Sequence, residues 1–411
     1  MRTTNRIISK HSSALPSARG LRRRHWAAST AACAALTTGL VTGPAAQAAP
    51  TAAEPKVAAS APANTPNRYQ TTLDRLVTVD QFPGALASVR NAKGTVRNYT
   101  AGVADIETGK TIKKDAPVRI ASNTKTFTAT VVLQLVQEGK IALDAPVETY
   151  LPGIVRGEGI DGRAITVRQL LNHTSGLADY DLALFAEGPL SKIGTYFEPR
   201  ELVDIVLREP ALAAPGAAWS YSNGNYILAG LVVQKVTGRP ISEEITKRII
   251  EPLGLKNTYW PAVGDMTLPK DAPNGYFTQT PGGPRIDVTE LDPSAGWAAG
   301  QLVSTPSELN EFFVALLGGE LIGPAMLAEM KTTVPSPDGN VYVEVNAGLG
   351  LDRISLSCGD VWGHGGNVQG FVTRNGVTAE GRAATVAVTD VPNTLEKAVN
   401  VEKAVEAALC S

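Results

Sequence analysis

The chain has 411 residues, 43% apolar and 19% charged, an ordinary globular composition that excludes wholesale disorder and collagen-like repetition. The formal net charge of -1 mixes two unlike parts. The first 48 residues hold seven basic residues and no acid, so the remainder carries 31 basic against 39 acidic residues, a net -8 that argues against nucleic-acid binding.

In chain order, residues 1–48 read as an export signal. A basic stretch ends in Arg22-Arg23-Arg24, a mildly apolar run covers 26–41, and Ala46 and Ala48 occupy the two positions a signal peptidase reads. Cleavage is expected after Ala48, by either the Sec or the twin-arginine route. The apolar run is too short and too alanine-rich for a permanent anchor. A secreted protein with no membrane span after signal removal is therefore expected. Residues 49–65 are Ala/Pro-rich and read as a linker, and 66–411 as one folded domain.

Within that domain a first helix is expected near 67–76, then strands at 85–89 and 96–103 around the turn Asn91-Ala92-Lys93-Gly94. The span 122–138 is the strongest helix. Its apolar residues lie on more than one face, which predicts burial, and Gly139 suits its end. Helical patterns follow at 166–171, 200–207 and 226–236. Strand-like segments return at 348–351, 369–374 and 383–389, and 394–409 reads as a final helix. Strands from both ends of the chain around a helical middle predict an α+β fold with a helical subdomain at roughly 121–285.

Beyond the leader there are two cysteines, Cys358 and Cys410, and in an exported protein these favour a disulfide over two separate thiols. Only two histidines remain, His173 and His364, and no His-Glu-x-x-His or Cys/His cluster, so no metal or other cofactor is expected. No Gly-x-Ser-x-Gly elbow occurs. The run 157–162 fits Gly-x-Gly-x-x-Gly but lacks the strand before and helix after it, and reads as a polar loop.

Ser122-Asn123-Thr124-Lys125 is different. At a helix start, positions i and i+3 share one face, so a lysine amine can reach a serine hydroxyl and take its proton. Burial would lower the lysine pKa enough for that task. Tyr221-Ser222-Asn223 follows about a hundred residues later, and Trp362-Gly363-His364-Gly365-Gly366-Asn367 lies near the end. Each is weak alone. Their order and spacing together are not.

That order resembles the penicillin-recognising serine hydrolases, the DD-peptidases and class C β-lactamases, which carry Ser-x-x-Lys, Tyr-x-Asn and His-x-Gly or Lys-Thr-Gly in sequence. The similarity runs from about Asn67 and includes His173-Thr174-Ser175-Gly176-Leu177 and Val368-Gln369-Gly370. The resemblance implies a central antiparallel sheet flanked by N- and C-terminal helices, beside a helical subdomain. It implies an acyl-enzyme on Ser122, proton transfer shared by Lys125 and Tyr221, and a substrate amide held by Asn223. The oxyanion would lie on the N–H groups of Ser122 and Asn367, with His364 and Gly365 in the third motif. It also supports a Cys358–Cys410 disulfide.

Within this group the chain is most like the secreted D-alanyl-D-alanine carboxypeptidases, so that activity on small peptides containing D-amino acids is expected first. β-Lactams would be acylating inhibitors, and a monomer is expected. Departures weaken that reading. The third motif reads His-Gly-Gly-Asn, and Asp352 stands where an arginine would bind the substrate carboxylate, unless Arg353 or Arg374 turns inward. A D-amino-acid amidase, D-aminopeptidase or esterase is the alternative. A β-lactamase, or a penicillin-binding sensor without turnover, ranks lower. His173 reads as structural, and Trp219 and Trp297 are candidates to line the cleft.

Overall fold

A computed structural model describes residues 68–337, 340 and 342–410. The expected signal peptide and linker lie outside the described residues. Among the described residues no helix is long and apolar enough to cross a membrane.

The framework is a nine-stranded sheet with every pairing antiparallel. From one edge the strands run Val96–Gly102, Gly84–Arg90, Ala383–Val388, Phe371–Val377, Gly359–Gly363, Asp352–Leu356, Val345–Ala347 and Val334–Pro335. Gly366–Val368 also pairs with Phe371–Val377. The first hairpin closes as its sequence predicts: Asn91 Oδ1 accepts the N–H groups of Lys93 and Thr95.

Side chains alternate across the sheet. Ala85, Ala87, Ala384, Val386 and Val388 face a cluster with Leu73 and Leu76 of helix Arg68–Thr78 and Val401 and Val405 of helix Leu395–Leu409. Leu86 and Ala387 face the other way, into the larger core with Phe312 and Phe313 of helix Pro306–Leu317. Both faces being covered, Ala383–Val388 is buried throughout. Each fully buried leucine, valine or phenylalanine contributes about 1.5–3 kcal/mol. The disulfide Cys358–Cys410, with Cα atoms 5.4 Å apart, ties the end of the last helix to the turn between Asp352–Leu356 and Gly359–Gly363.

Helix Thr124–Gln137 is buried on nearly every side and packs against helix Asn223–Thr237, as its all-round apolar pattern requires. Helix Val167–Leu171 begins with a reciprocal capping box: Thr166 Oγ1 accepts from the Gln169 N–H, and Gln169 Oε1 from the Thr166 N–H. One expectation fails. Residues 348–351 form a turn, not a strand; the strand ends at Ala347 and resumes at Asp352. Gly350 has φ +71, and a Cβ there would lie 2.6 Å from both Ala129 Cβ and Tyr226 Oη, so the chain must bend over helix Thr124–Gln137. The run 157–162, expected as a plain loop, is instead most of a small hairpin: Arg156–Gly157 pairs with Ile160–Asp161 around a turn at 158–159.

Candidate active site

A cavity of about 600 Å³ opens between the sheet and the helical part of the chain, a size typical of small-molecule sites. Ser122 lines it from a single 3-10 turn, Ala121–Asn123, that leads directly into helix Thr124–Gln137. The turn is locked to the sheet by the next residue. Asn123 Nδ2 donates to Thr373 Oγ1 (2.7 Å) and to the Ile120 carbonyl (2.8 Å), and Asn123 Oδ1 accepts from Asn375 Nδ2 (2.5 Å). Asn375 in turn accepts the His364 N–H and donates to the His364 carbonyl. A buried amide pair therefore fixes Ser122 relative to the third motif.

One helical turn on, Lys125 is fully buried, with Nζ 3.0 Å from Ser122 Oγ. Its amine also donates to Asn223 Oδ1 (2.6 Å) and to the Ala299 carbonyl (2.9 Å). Burial pushes the Lys125 pKa down to about 7, against the pull of Asp179, Asp181 and Asp352. Tyr221 donates its hydroxyl to Ser122 Oγ at 3.0 Å. Burial raises its phenol above the ordinary value, which keeps it protonated.

Asn223 opens helix Asn223–Thr237, and its amide is engaged at both ends. The carbonyl accepts from Lys125, and Nδ2 donates to Asp179 Oδ2 (3.1 Å) and Asp181 Oδ2 (3.0 Å). Asp179 also accepts the Asn223 backbone N–H, where the helix N-terminus favours negative charge. Asn223 thus bridges Lys125 to two carboxylates, instead of projecting a free amide as the resemblance implies. Burial raises both acids' pKa values, and Asp179 raises that of Asp181 further.

His364, Gly365 and Asn367 line the opposite wall. Burial holds His364 neutral, with its pKa down to about 3, and its Nδ1 lies 2.6 Å from the Gly365 carbonyl. Gly366 packs so closely on the Ser122 turn that a Cβ would fall 2.2 Å from the Ile120 carbonyl. Asn367 Oδ1 accepts from Arg374 Nη1.

The cavity brings Ser122, Tyr221, Asn223, His364, Gly365 and Asn367 together, with Lys125 directly beneath the serine. Cys358 and Cys410 form the disulfide and do not line it. Trp219 lines the cavity, whereas Trp297 packs edge-on against Trp260. His173 lines it too. Its ring stacks on Tyr221 with centroids 4.4 Å apart, and its Nδ1 accepts from the Ser222 N–H. Burial keeps it neutral. Asp179, Asp181, Asn123 and Asn375 escaped the sequence reading, because nothing in their spacing sets them apart from ordinary loop and strand residues. Of the two arginines considered for an inward turn, Arg374 lines the cavity but is paired with Glu402 (2.5 Å). Arg353 meets Glu344 and Asp360.

This fold and this arrangement have relatives. Residues 70–409 match the family described as Beta-lactamase. The chain belongs to that family. Among solved structures, a D-stereospecific amidohydrolase from Streptomyces sp. is 41% identical, with a TM-score of 0.75, covering 83% of this chain and 98% of the other. D-amino acid amidase from Ochrobactrum anthropi SV3, complexed with L-phenylalanine amide, is 29% identical with a TM-score of 0.74, covering 83% and 96%. Esterase EstB of Burkholderia gladioli is 33% identical over 199 residues, 46% of this chain and 50% of the esterase. Penicillin-binding protein 4 of Amycolatopsis lactamdurans is 30% identical over 204 residues, half of each chain. The chain spans about half the length of these curated relatives. This beta-lactamase family member thus shares its family with penicillin-binding protein homologues.

Proposed function

We propose that this protein hydrolyses amides and related acyl derivatives of D-amino acids that carry a free amino group, through an acyl-enzyme on Ser122. The observation that carries this reading is the cavity's charge. Asp179, Asp181 and Asp352 line it, and the one arginine lining it among the described residues, Arg374, is already paired with Glu402. Such a site attracts an ammonium and offers a terminal carboxylate no open cation. That disfavours the D,D-carboxypeptidase expected first and favours the amidase alternative. The likeness to a D-stereospecific amidohydrolase at 41% identity supports the D-configuration. Asp181 Oδ1, left without a hydrogen bond by Asn223, is the acceptor assigned to the substrate ammonium.

Lys125 is the acylation base in this reading. The Asn223 and Ala299 oxygens are amide carbonyls and can only accept. A neutral Lys125 amine therefore directs its two N–H groups to them, and its lone pair faces the Ser122 hydroxyl. Ser122 Oγ attacks the substrate carbonyl as its proton passes to Lys125 Nζ. The oxyanion is held by the N–H groups of Ser122 and Asn367. Tyr221 gives its proton to the departing nitrogen and is reprotonated from Lys125, so the C–N bond breaks with a neutral amine leaving. Water then adds to the ester by the same relay and releases the acid.

The test compares kcat/KM for D-phenylalanine amide, its L-enantiomer, its N-acetyl form and an acylated Lys-D-Ala-D-Ala peptide, with Ser122→Ala alongside. Serine-dependent preference for the free D-amide is expected. Faster release of D-alanine from the blocked peptide would overturn the assignment in favour of the carboxypeptidase.

A further inference from the structure

The cavity has a second acidic pole that hydrolysis as described does not use. Asp352 opens strand Asp352–Leu356 and pairs across the sheet with Gly363, next to His364. Asp352 lines the cavity, and among the described residues its carboxylate has no hydrogen bond or ion pair. The neighbouring Arg353 meets Glu344 and Asp360 instead of Asp352. Arg374, the other cation on this side, is held by Glu402, Asn367 Oδ1 and the Thr373 carbonyl. Burial raises the Asp352 carboxyl, and only the charge of Lys125 draws it back. A desolvated carboxylate without a partner is unfavourable, and such groups cluster where a ligand supplies the missing contact.

Ser122 lines the same cavity as both poles. Asp179 and Asp181 are joined to Asn223 on the helical side, and Asp352 sits on the sheet side. With the acyl group's ammonium at Asp181, which is the reading given above, the sheet wall that carries Asp352 is left to the other half of the substrate.

We propose that Asp352 reads the leaving-group half of the substrate, admitting an uncharged amide or a cationic amine and excluding a free α-carboxylate. The class of substrate is thus narrowed to D-amino-acid derivatives and peptides whose far end is blocked or basic. A like charge brought beside Asp352 in a partly desolvated site is repelled, while a donor or cation there completes its coordination.

The experiment measures kcat/KM on three substrates that differ only in the far end: D-Phe-Gly, D-Phe-Gly amide and the D-phenylalanyl amide of 1,4-diaminobutane. The wild type should cleave the neutral and cationic substrates at least about tenfold better than the free acid. Asp352→Asn should bring the amide-to-acid ratio towards one, and Asp352→Arg should invert it. Because the ratio is taken within each variant, loss of folded protein cancels, and the wild-type series alone remains decisive if neither variant folds. Equal cleavage of acid and amide by the wild type, or an unchanged ratio in a folded Asp352→Asn, overturns the proposal. N-acetyl-D-Phe-Gly and its amide separate the two readings. If acetylation leaves the rates unchanged while Asp352→Asn still collapses the ratio, the ammonium assignment fails and the Asp352 assignment stands.

Discussion

Asn223 Oδ1 lies 2.6 Å from Lys125 Nζ, nearer than Ser122 Oγ at 3.0 Å. The asparagine therefore orients the amine, and its own NH₂ is held by Asp179 and Asp181. The proposed base is thus oriented through a chain that runs from Asn223 to Asp179 and Asp181.

With burial pushing the Lys125 pKa down to about 7, and Lys125 as the proposed base acting unprotonated, kcat/KM should rise about tenfold between pH 6 and a plateau above pH 8. The sign follows from burial, which disfavours the ammonium. Asp352 titrates in the same range, and its ionisation contributes to the same limb. Burial raises Asp181 to about 7 as well, so the limb that survives in both Asp352→Asn and Asp181→Asn is the lysine's. Lys125→Arg, charged at every accessible pH, should lose about a thousandfold or more in acylation. A flat profile in the wild type would contradict the assignment of the base.

Tyr221→Phe removes the proton delivered to the leaving nitrogen but keeps the stacking on His173. Amide hydrolysis should fall by roughly 10²–10⁴. A p-nitrophenyl ester needs no proton on its leaving group and should lose far less. Comparing the two substrates in one preparation checks this.

Asn375→Ala deletes the amide that joins Asn123 to His364. It leaves two buried acceptors, Asn123 Oδ1 and the His364 carbonyl, and the His364 N–H unpaired, at about 1–3 kcal/mol each. Urea denaturation should show the lost stability, and kcat should fall because the serine turn and the third motif lose their common anchor.

Replacing both Cys358 and Cys410 by serine opens a link spanning 52 residues. On the chain-entropy account this removes on the order of 4 kcal/mol, read as a lower melting temperature. The catalytic profile on amides should persist below that temperature, since neither sulfur lines the cavity.

Sequence reading reaches furthest where a local rule decides. The Ser122–Lys125 spacing places both groups at one helix start, and the apolar pattern of the helix anticipates its burial. The rule fails where long-range placement decides. Asp179 sits in a loop and Asp181 opens the one-turn helix Asp181–Leu184, neither with a periodic signal, and they matter because Asn223, more than forty positions later, folds onto them. His173 reads as a loop residue until Tyr221 stacks on it. Residues 348–351 look like a strand because alternating Gly and Leu mimics its period, and only contact with Ala129 and Tyr226 shows why a turn is needed.

Gly84–Arg90 pairs with Ala383–Val388, and 305 positions separate Thr389 from the Gly84 carbonyl it bonds. The strand that joins the first hairpin to the rest of the sheet is therefore synthesised about 300 residues after it. Until it arrives, the Gly84–Gly102 hairpin has an open edge and no floor beneath Leu86. Pairing this distant in sequence carries a high contact order and slow folding, with the unpaired edge exposed to aggregation in the interval. Refolding yield, more than equilibrium stability, is the property that this topology makes vulnerable.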